Sequence, residues 1–283
     1  MLRPVVDLAD LEVLRRTSDG PLVLADVRWY LDGRSGRAAY DAGHLPGAVF
    51  VDLDRWLAGH GDPAQGRHPL PDPDVFAEGM SSQGIDDDTT VVAYDDAGGV
   101  VAARLVWMLR VTGHDAALLD GGLAAYDGPL STAADDSSER AGGRPGAFTS
   151  RPWPAERLAD VGDATSAGAT VLDARDRVRY RGDQEPVDPR AGHIPGAVNV
   201  PCRENLQPSG RFLPVPELRA RFRAAGAVQG ADVVSYCGSG VTACHNLLAL
   251  EHAGLGVGRL YPGSWSAYSQ VADRPVATGD EPG

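Results

Sequence analysis

One seven-residue motif occurs twice in this chain of 283 residues, and it limits the possible folds more than any other feature. Residues 43–49 read Gly-His-Leu-Pro-Gly-Ala-Val, and residues 192–198 read Gly-His-Ile-Pro-Gly-Ala-Val. In both halves an Asp-x-Arg segment precedes the motif, and a valine-rich run that ends in tyrosine follows it. Matched segments that recur in one order indicate a duplicated domain.

The length agrees with a duplication, because about 150 residues per domain gives two domains. We predict an N-terminal domain at residues 1–126 and a C-terminal domain at residues 156–283. Residues 127–155 are rich in Gly, Pro, Ser and Ala and have no apolar periodicity, which is typical of a linker.

Each half alternates short apolar runs with helical patterns. In the first half the predicted strands lie at residues 21–26, 48–51, 90–94 and 116–119, and a predicted helix lies at residues 100–111. The runs are short and bounded by Gly, Pro or Asp, as buried parallel strands are. This alternation predicts an α/β fold in which each domain is a mostly parallel sheet flanked by helices. Ligands of such sheets bind at the carboxyl ends of the strands.

Charge and composition exclude several classes of protein. The net charge is −13, and all 26 cationic residues are arginine. Because so acidic a chain repels a phosphate backbone, we expect no nucleic-acid partner. No apolar run approaches the roughly 20 residues of a membrane span, and residues 1–7 do not resemble a secretory signal. The three cysteines, Cys202, Cys237 and Cys244, are therefore expected to be reduced thiols in the cytoplasm.

The segment after the valine-rich run of the second half is the strongest candidate for chemistry. Residues 233–236 form a predicted strand that leads directly into a Cys-Gly-Ser-Gly-Val-Thr loop at residues 237–242, and a helical pattern follows. Two glycines allow a tight turn whose amides point inward. Those amides and the helix N-terminus favour a thiolate, so Cys237 is predicted to be a nucleophile.

This loop, the two Gly-His-x-Pro-Gly-Ala motifs and the duplicated α/β pattern together resemble the two-domain rhodanese superfamily. Within that superfamily, Cys-Gly-Ser-Gly-Val-Thr is similar to the loop of 3-mercaptopyruvate sulfurtransferases. The resemblance implies a sulfurtransferase that carries sulfur as a Cys237 persulfide, with catalysis in the C-terminal domain only. Asp95 stands at the position of Cys237 in the first half, and a carboxylate cannot hold sulfane sulfur.

The loop favours 3-mercaptopyruvate as the sulfur donor, with thiosulfate as the alternative on the same scaffold. Thiosulfate is a dianion, and Gly238 and Ser239 stand where thiosulfate-type loops carry basic residues. A carboxylate donor suits arginine, whose planar fork binds carboxylates through two hydrogen bonds. By resemblance, Arg179 and Arg190 bind the substrate. Residues 173–190 hold five arginines and five acids, so local ion pairs are the alternative role for these arginines.

Further site residues lie on the loop itself. Ser239 is expected to help protonate the departing pyruvate enolate. Inward-facing loop amides are expected to shield the transferred sulfur, at positions Gly238, Gly240, Val241 and Thr242. The expected partners are a small-molecule sulfur donor and a thiol acceptor such as reduced thioredoxin, or cyanide in an assay. We expect no metal or organic cofactor, because no Cys/His cluster has ligand spacing and no Gly-x-Gly-x-x-Gly follows a strand.

The resemblance also implies a relay of serine, histidine and aspartate. His44, in the first copy of the repeated motif, is the predicted histidine of this relay. Its twin His193 occupies the same motif in the other half, so a structural role for both histidines is the alternative. Asp32 and Asp41 are the candidates for the aspartate.

Overall fold

A computed structural model describes residues 2–17, 20–132 and 146–283. It divides into two compact units. The first unit consists of Met1–Gly59, Pro71–Trp153 and Pro208–Arg211, and the second consists of His60–Leu70, Pro154–Gln207 and Phe212–Gly283. The short segment His60–Leu70 therefore belongs to the second unit, although it lies early in the sequence. Among the described residues, no helix is both long enough and apolar enough to span a bilayer.

The first unit is built on a five-stranded sheet. Its strands and α-helices, in chain order, are β1 (Val5–Val6), α1 (Leu8–Thr17), β2 (Leu22–Asp26), α2 (Gly36–Ala42), β3 (Val49–Phe50), α3 (Pro73–Ser82), β4 (Thr90–Tyr94), α4 (Ala103–Val111) and β5 (Ala116–Leu119). The sheet order is β1–β5–β4–β2–β3, and every pairing is parallel. Shorter helical turns lie at Leu53–Leu57 (π) and Gly122–Ala125 (3₁₀).

The second unit repeats this plan with four strands. Its strands and α-helices are α5 (Val161–Ala164), β6 (Thr170–Asp173), α6 (Arg177–Tyr180), β7 (Val198–Asn199), α7 (Val215–Ala224), β8 (Val233–Tyr236), α8 (Ala243–His252), β9 (Arg259–Leu260) and α9 (Ser264–Tyr268). The sheet order is β7–β6–β8–β9, again entirely parallel. Short 3₁₀ turns lie at Pro63–Gln65, Ala155–Arg157 and Cys202–Asn205. The predicted α/β fold with parallel sheets is confirmed.

The register of β6 against β8 positions the candidate site. Asp173 pairs with Tyr236, so the two strands end side by side at the carboxyl edge of the sheet. The arginine-rich segment that follows β6 and the cysteine loop that follows β8 therefore start next to each other. All four residues of β8 are buried, because helices cover both faces of a parallel sheet.

In each unit the repeated motif packs its histidine against a tyrosine. The ring of His44 stacks on Tyr40 with centroids 3.8 Å apart, and the ring of His193 stacks on Tyr180 at 3.6 Å. The Nδ1 atom of each histidine lies 2.8 Å from the carbonyl oxygen of the same tyrosine. Both histidines are completely buried. The motif therefore makes the same packing contacts in both units.

The predicted linker, residues 127–155, is only partly described. Residues 133–145 of it lie outside the described residues. Phe148 packs edge-on against Phe76 and stacks on His114, and Trp153 donates from Nε1 to the carbonyl oxygen of Pro71 at 2.8 Å. Residues 146–153 therefore belong to the first unit, where their aromatic side chains pack against its other residues.

Candidate active site

Cys237 begins the loop between β8 and α8, as the sequence predicts. The amide of Gly240 donates to Cys237 Sγ at 3.1 Å, and the thiol is almost fully buried. Gly240 has φ +79°, and a Cβ at this position would lie 2.7 Å from the carbonyl oxygen of Pro262. Only glycine accommodates both the left-handed conformation and the close approach. The tight turn that aims an amide at the sulfur atom therefore requires this glycine.

The equivalent loop of the first unit holds a carboxylate. Four backbone amides donate to Asp95: Ala97 and Gly99 to Oδ1 at 2.8 and 2.7 Å, Val101 and Ala102 to Oδ2 at 2.8 and 3.0 Å. Oriented amides of this kind form an anion-binding concavity. This strand–loop–helix junction therefore binds a negative group in the first unit, where the group is a side chain of the protein itself.

Arg179 lies beside the cysteine loop within a set of buried ion pairs. Its Nη2 contacts Glu185 Oε1 at 2.6 Å and Asp188 Oδ2 at 3.0 Å. Glu185 also accepts from Nη1 of Arg175 at 3.3 Å. A Cβ built on Gly238 would lie 3.3 Å from Arg179 Nη1, so the guanidinium stands directly over the residue after the nucleophile.

The segment His60–Leu70 contributes two residues that the sequence analysis did not single out. Arg67 donates from Nη1 to Asp188 Oδ1 at 2.6 Å, and its Nη2 lies 3.3 Å from the Cβ position of Gly238. His68 places its Nδ1 atom 2.7 Å from Ser239 Oγ, and both of these side chains are buried. The only signal in the sequence is an arginine–histidine pair between Gly66 and Pro69, in a stretch without helical or strand periodicity.

The structure gives His44 and Arg190 contacts other than the predicted ones. The imidazole hydrogen bonded to Ser239 belongs to His68, whereas His44 is stacked and buried in the first unit like its twin His193. The guanidinium of Arg190 donates to five carbonyl oxygens at the end of α9 and just beyond it, at residues 268–274. Arg190 thereby holds the chain that follows α9.

The two candidate relay aspartates form surface ion pairs. Asp32 contacts Arg34 Nε at 2.9 Å, and Asp41 contacts Arg37 Nε at 2.8 Å. Both carboxylates are exposed, at 59% and 37%. Hydrogen bonds from the backbone and side chain of Arg34 lower the pKa of Asp32, so this carboxylate is ionised at neutral pH.

The other two cysteines have structural surroundings. Cys244 lies in α8 and donates from Sγ to the carbonyl oxygen of Gly240 at 3.4 Å. Burial raises the pKa of the Cys202 thiol to about 12. Cys202 is therefore a neutral thiol at physiological pH, and the thiolate is the nucleophilic form.

The second unit thus assembles the parts needed for nucleophilic chemistry on an anionic substrate. A thiol that accepts an amide hydrogen bond lies on the loop, two guanidinium groups stand over Gly238, and a hydroxyl–imidazole pair lies at Ser239. The guanidinium groups can bind an anion, and Ser239 Oγ can donate or accept a proton.

Comparison with known families identifies the scaffold. Residues 10–128 and 155–271 both match the family model of a rhodanese-like domain. The chain belongs to the rhodanese family. The resemblance stated from the cysteine loop and the repeated motif is confirmed.

Two curated relatives of this rhodanese-family protein cover almost its whole length. A probable 3-mercaptopyruvate sulfurtransferase from Pseudomonas aeruginosa is 44% identical over 282 residues, which is 95% of this chain and 96% of the relative. A putative thiosulfate sulfurtransferase from Mycobacterium tuberculosis is 39% identical over 277 residues, which is 97% of both chains. The chain is an enzyme of the sulfurtransferase type, as predicted.

Solved structures show the same fold. A 3-mercaptopyruvate sulfurtransferase from Leishmania major superposes with a TM-score of 0.83 at 28% identity, covering 97% of this chain and 76% of that one. A 3-mercaptopyruvate sulfotransferase from Escherichia coli gives a TM-score of 0.77 at 31% identity, with coverage of 93% and 99%.

Proposed function

We propose that this enzyme moves sulfur from 3-mercaptopyruvate to a thiol acceptor through a persulfide on Cys237. The observation that carries the proposal is the cysteine loop, in which the Gly240 amide already donates to the sulfur atom. The Asp95 loop supports it, because four amides there bind an anion. The relatives from P. aeruginosa and E. coli are named for this donor, which adds further support.

The charges near Gly238 favour a donor with one negative charge. Two guanidinium groups stand over this glycine, and two buried carboxylates, Glu185 and Asp188, offset them. A monoanion can enter such a balanced site at a lower electrostatic cost than a dianion. 3-Mercaptopyruvate carries one carboxylate, whereas thiosulfate carries two negative charges.

The first half-reaction transfers sulfur from 3-mercaptopyruvate to Cys237. The Cys237 thiolate attacks the donor sulfur atom, a new S–S bond forms, and the C–S bond breaks. Its electron pair leaves with the carbon fragment as pyruvate enolate, which takes up the proton of the donor thiol and becomes pyruvate. The persulfide anion that remains is stabilised by loop amides, for which Gly238, Gly240, Val241 and Thr242 are the proposed positions.

The second half-reaction transfers the outer sulfur of the Cys237 persulfide to an acceptor. A thiolate acceptor attacks the outer sulfur, and the Cys237 thiolate leaves. We propose a small thiol or a reduced dithiol protein such as thioredoxin as the acceptor, and the cytoplasm as the location. A reducing compartment keeps both Cys237 and the acceptor in the thiol form that this chemistry needs.

We propose that Ser239 passes the proton to the enolate, and that His68, whose Nδ1 lies 2.7 Å from Ser239 Oγ, orients the hydroxyl. Substituting Ser239→Ala should lower kcat for pyruvate release about 10- to 100-fold with little change in KM, because the hydroxyl acts in the chemical step and not in binding. Steady-state kinetics with 3-mercaptopyruvate measure both constants. Ser166→Ala, at an exposed serine, is the matched control and should behave as wild type. A raised KM with unchanged kcat would assign Ser239 to binding instead.

A comparison of the two sulfur donors tests the proposed function. With cyanide as the common acceptor, thiocyanate formation can be followed for both donors. We expect kcat/KM for 3-mercaptopyruvate to exceed that for thiosulfate by about 10-fold or more, because the balanced site does not neutralise a second charge. The opposite ranking would make the protein a thiosulfate sulfurtransferase on the same scaffold.

A further inference from the structure

One residue beside the cysteine loop has a strained backbone. Within the described part of the chain, Ser264 is the only residue other than glycine with a positive φ angle, at +51°. A side chain at such an angle costs free energy, and proteins keep this strain mainly at functional sites. Ser264 is the first residue of α9 and is completely buried. The two half-reactions give it no role.

The hydroxyl of Ser264 holds the backbone of the nucleophile. The amide of Cys237 donates to Ser264 Oγ at 3.2 Å, and Ser264 Oγ donates to the carbonyl oxygen of Tyr261 at 2.9 Å. Because the hydroxyl proton points at Tyr261, a lone pair of the oxygen faces the Cys237 amide. Without this hydroxyl, the buried N–H group of Cys237 would lose its acceptor, which is unfavourable.

The next two residues of α9 hold two carbonyl groups of the loop. The amide of Trp265 donates to the carbonyl oxygen of Cys237 at 2.9 Å. The amide of Ser266 donates to the carbonyl oxygen of Gly238 at 2.9 Å. Because the C=O and N–H groups of a trans peptide point in opposite directions, the amides of Gly238 and Ser239 point away from α9. The start of α9 thus sets the direction in which the loop presents its amides.

The duplicated domain shows what this turn requires where no nucleophile is present. In the first unit the amide of Leu123 donates to the carbonyl oxygen of Asp95 at 2.9 Å. This hydrogen bond is the equivalent of the one between Trp265 and Cys237. The residue before Leu123 is Gly122, which has φ +56° and adopts this angle without strain. The turn itself therefore needs only glycine, and the serine of the second unit adds a hydroxyl while straining the backbone.

We propose that Ser264 is a positioning residue for sulfur transfer, which anchors the Cys237 amide so that the loop amides face the sulfur atom. The inference rests on the proposed function and adds to it a residue 27 positions after the nucleophile. Ser264 acts through the backbone of the loop and not by contact with the donor. Its strained angle is kept because the hydroxyl that bonds Cys237 requires a side chain at this position.

Substituting Ser264→Gly removes the hydroxyl and keeps the turn, since glycine adopts φ +51° without strain. We expect kcat for pyruvate release from 3-mercaptopyruvate to fall about 10-fold or more, with KM within about twofold of wild type. The amides that favour the thiolate lose their fixed direction, so alkylation of Cys237 by iodoacetamide should need a pH higher by about half a unit or more. Mass spectrometry of the modified protein gives the alkylation rate at each pH.

Two further variants separate the effect of the hydroxyl from that of the strain. Ser264→Ala lacks the hydroxyl and keeps the strained angle, so it should lose as much kcat as Ser264→Gly. Its thermal midpoint should lie about 2 to 4 °C below that of Ser264→Gly. Ser269→Ala, at a buried serine directly after α9, is the matched control and should keep the wild-type kcat and alkylation profile.

The outcomes separate this inference from the proposed function. If wild type does not turn over 3-mercaptopyruvate, the proposed function fails, whereas the alkylation profiles still test the role of Ser264. A wild-type kcat in Ser264→Gly would overturn the positioning role. A lower kcat with an unchanged alkylation profile would also overturn it, because the loss would then not arise from the direction of the loop amides. A lower kcat with alkylation moved to higher pH supports the proposal.

Discussion

Substituting Cys237→Ser should abolish sulfur transfer, with pyruvate release from 3-mercaptopyruvate falling by about 10⁴-fold or more. Serine fits the space of the thiol and can accept the same hydrogen bond from the Gly240 amide, so the loop should keep its shape. Its hydroxyl is not ionised near neutral pH, and its oxygen cannot carry a persulfide. Steady-state pyruvate release measures the loss, and the mass of the intact protein after exposure to donor measures sulfur loading.

The control for this substitution is another buried cysteine. Cys202→Ala removes a thiol that burial keeps neutral, in a 3₁₀ turn outside the loop. We expect turnover within about twofold of wild type and normal sulfur loading. Activity above about 1% of wild type in Cys237→Ser would require a different nucleophile and would overturn the persulfide mechanism.

The sequence predicts those parts of this protein that local patterns determine. The strands at residues 90–94 and 116–119 have the predicted bounds, because short valine- and alanine-rich runs between turn residues are what a buried parallel strand requires. The loop from Cys237 follows for a similar reason: glycines next to the end of a strand allow the positive-φ conformation that a tight turn needs, as at Gly240. The internal repeat extends these local predictions to the whole chain.

The residues around the nucleophile depend on contacts that no local pattern encodes. The amide of Arg67 meets Ser266 across 199 positions of sequence, so only the folded chain reveals that Arg67 and His68 belong to the second unit. The repeated motif singles out His44, yet the same motif at His193 makes the same packing contacts. Arg190 follows the arginine-rich segment, but its partners are carbonyl oxygens about 80 residues further on. Linear spacing does not distinguish a binding arginine from one that holds a chain end.

Substituting Arg175→Met should destabilise the second unit by about 3 to 5 kcal/mol, because it leaves Asp173 buried without a counter-charge. Nε and Nη2 of Arg175 contact both oxygens of Asp173 at 2.6 to 3.1 Å, and neither side chain is more than 2% exposed. Burial alone disfavours the charged guanidinium, but Asp173 and Glu185 more than offset this and raise the pKa of Arg175. Denaturant unfolding followed by circular dichroism measures the change, and the thermal midpoint should fall by about 10 °C.

The first unit supplies a matched control, since Arg28 and Asp26 make the same contacts there at 2.7 to 3.0 Å. Each arginine also donates from Nη2 to a glycine carbonyl at 2.7 Å, that of Gly43 or Gly192. Arg28→Met should therefore cost a similar free energy of unfolding. Only Arg175 also contacts Glu185, the partner of Arg179, so only Arg175→Met should raise KM for 3-mercaptopyruvate.

The double substitution Asp173→Asn/Arg175→Met should regain part of the lost stability, because no buried charge is then left unpaired. If the free energy of unfolding of Arg175→Met fell by less than about 1 kcal/mol, water or another cation would be compensating the charge of Asp173. The ion pair between Arg175 and Asp173 would then not be what holds the end of β6 in place.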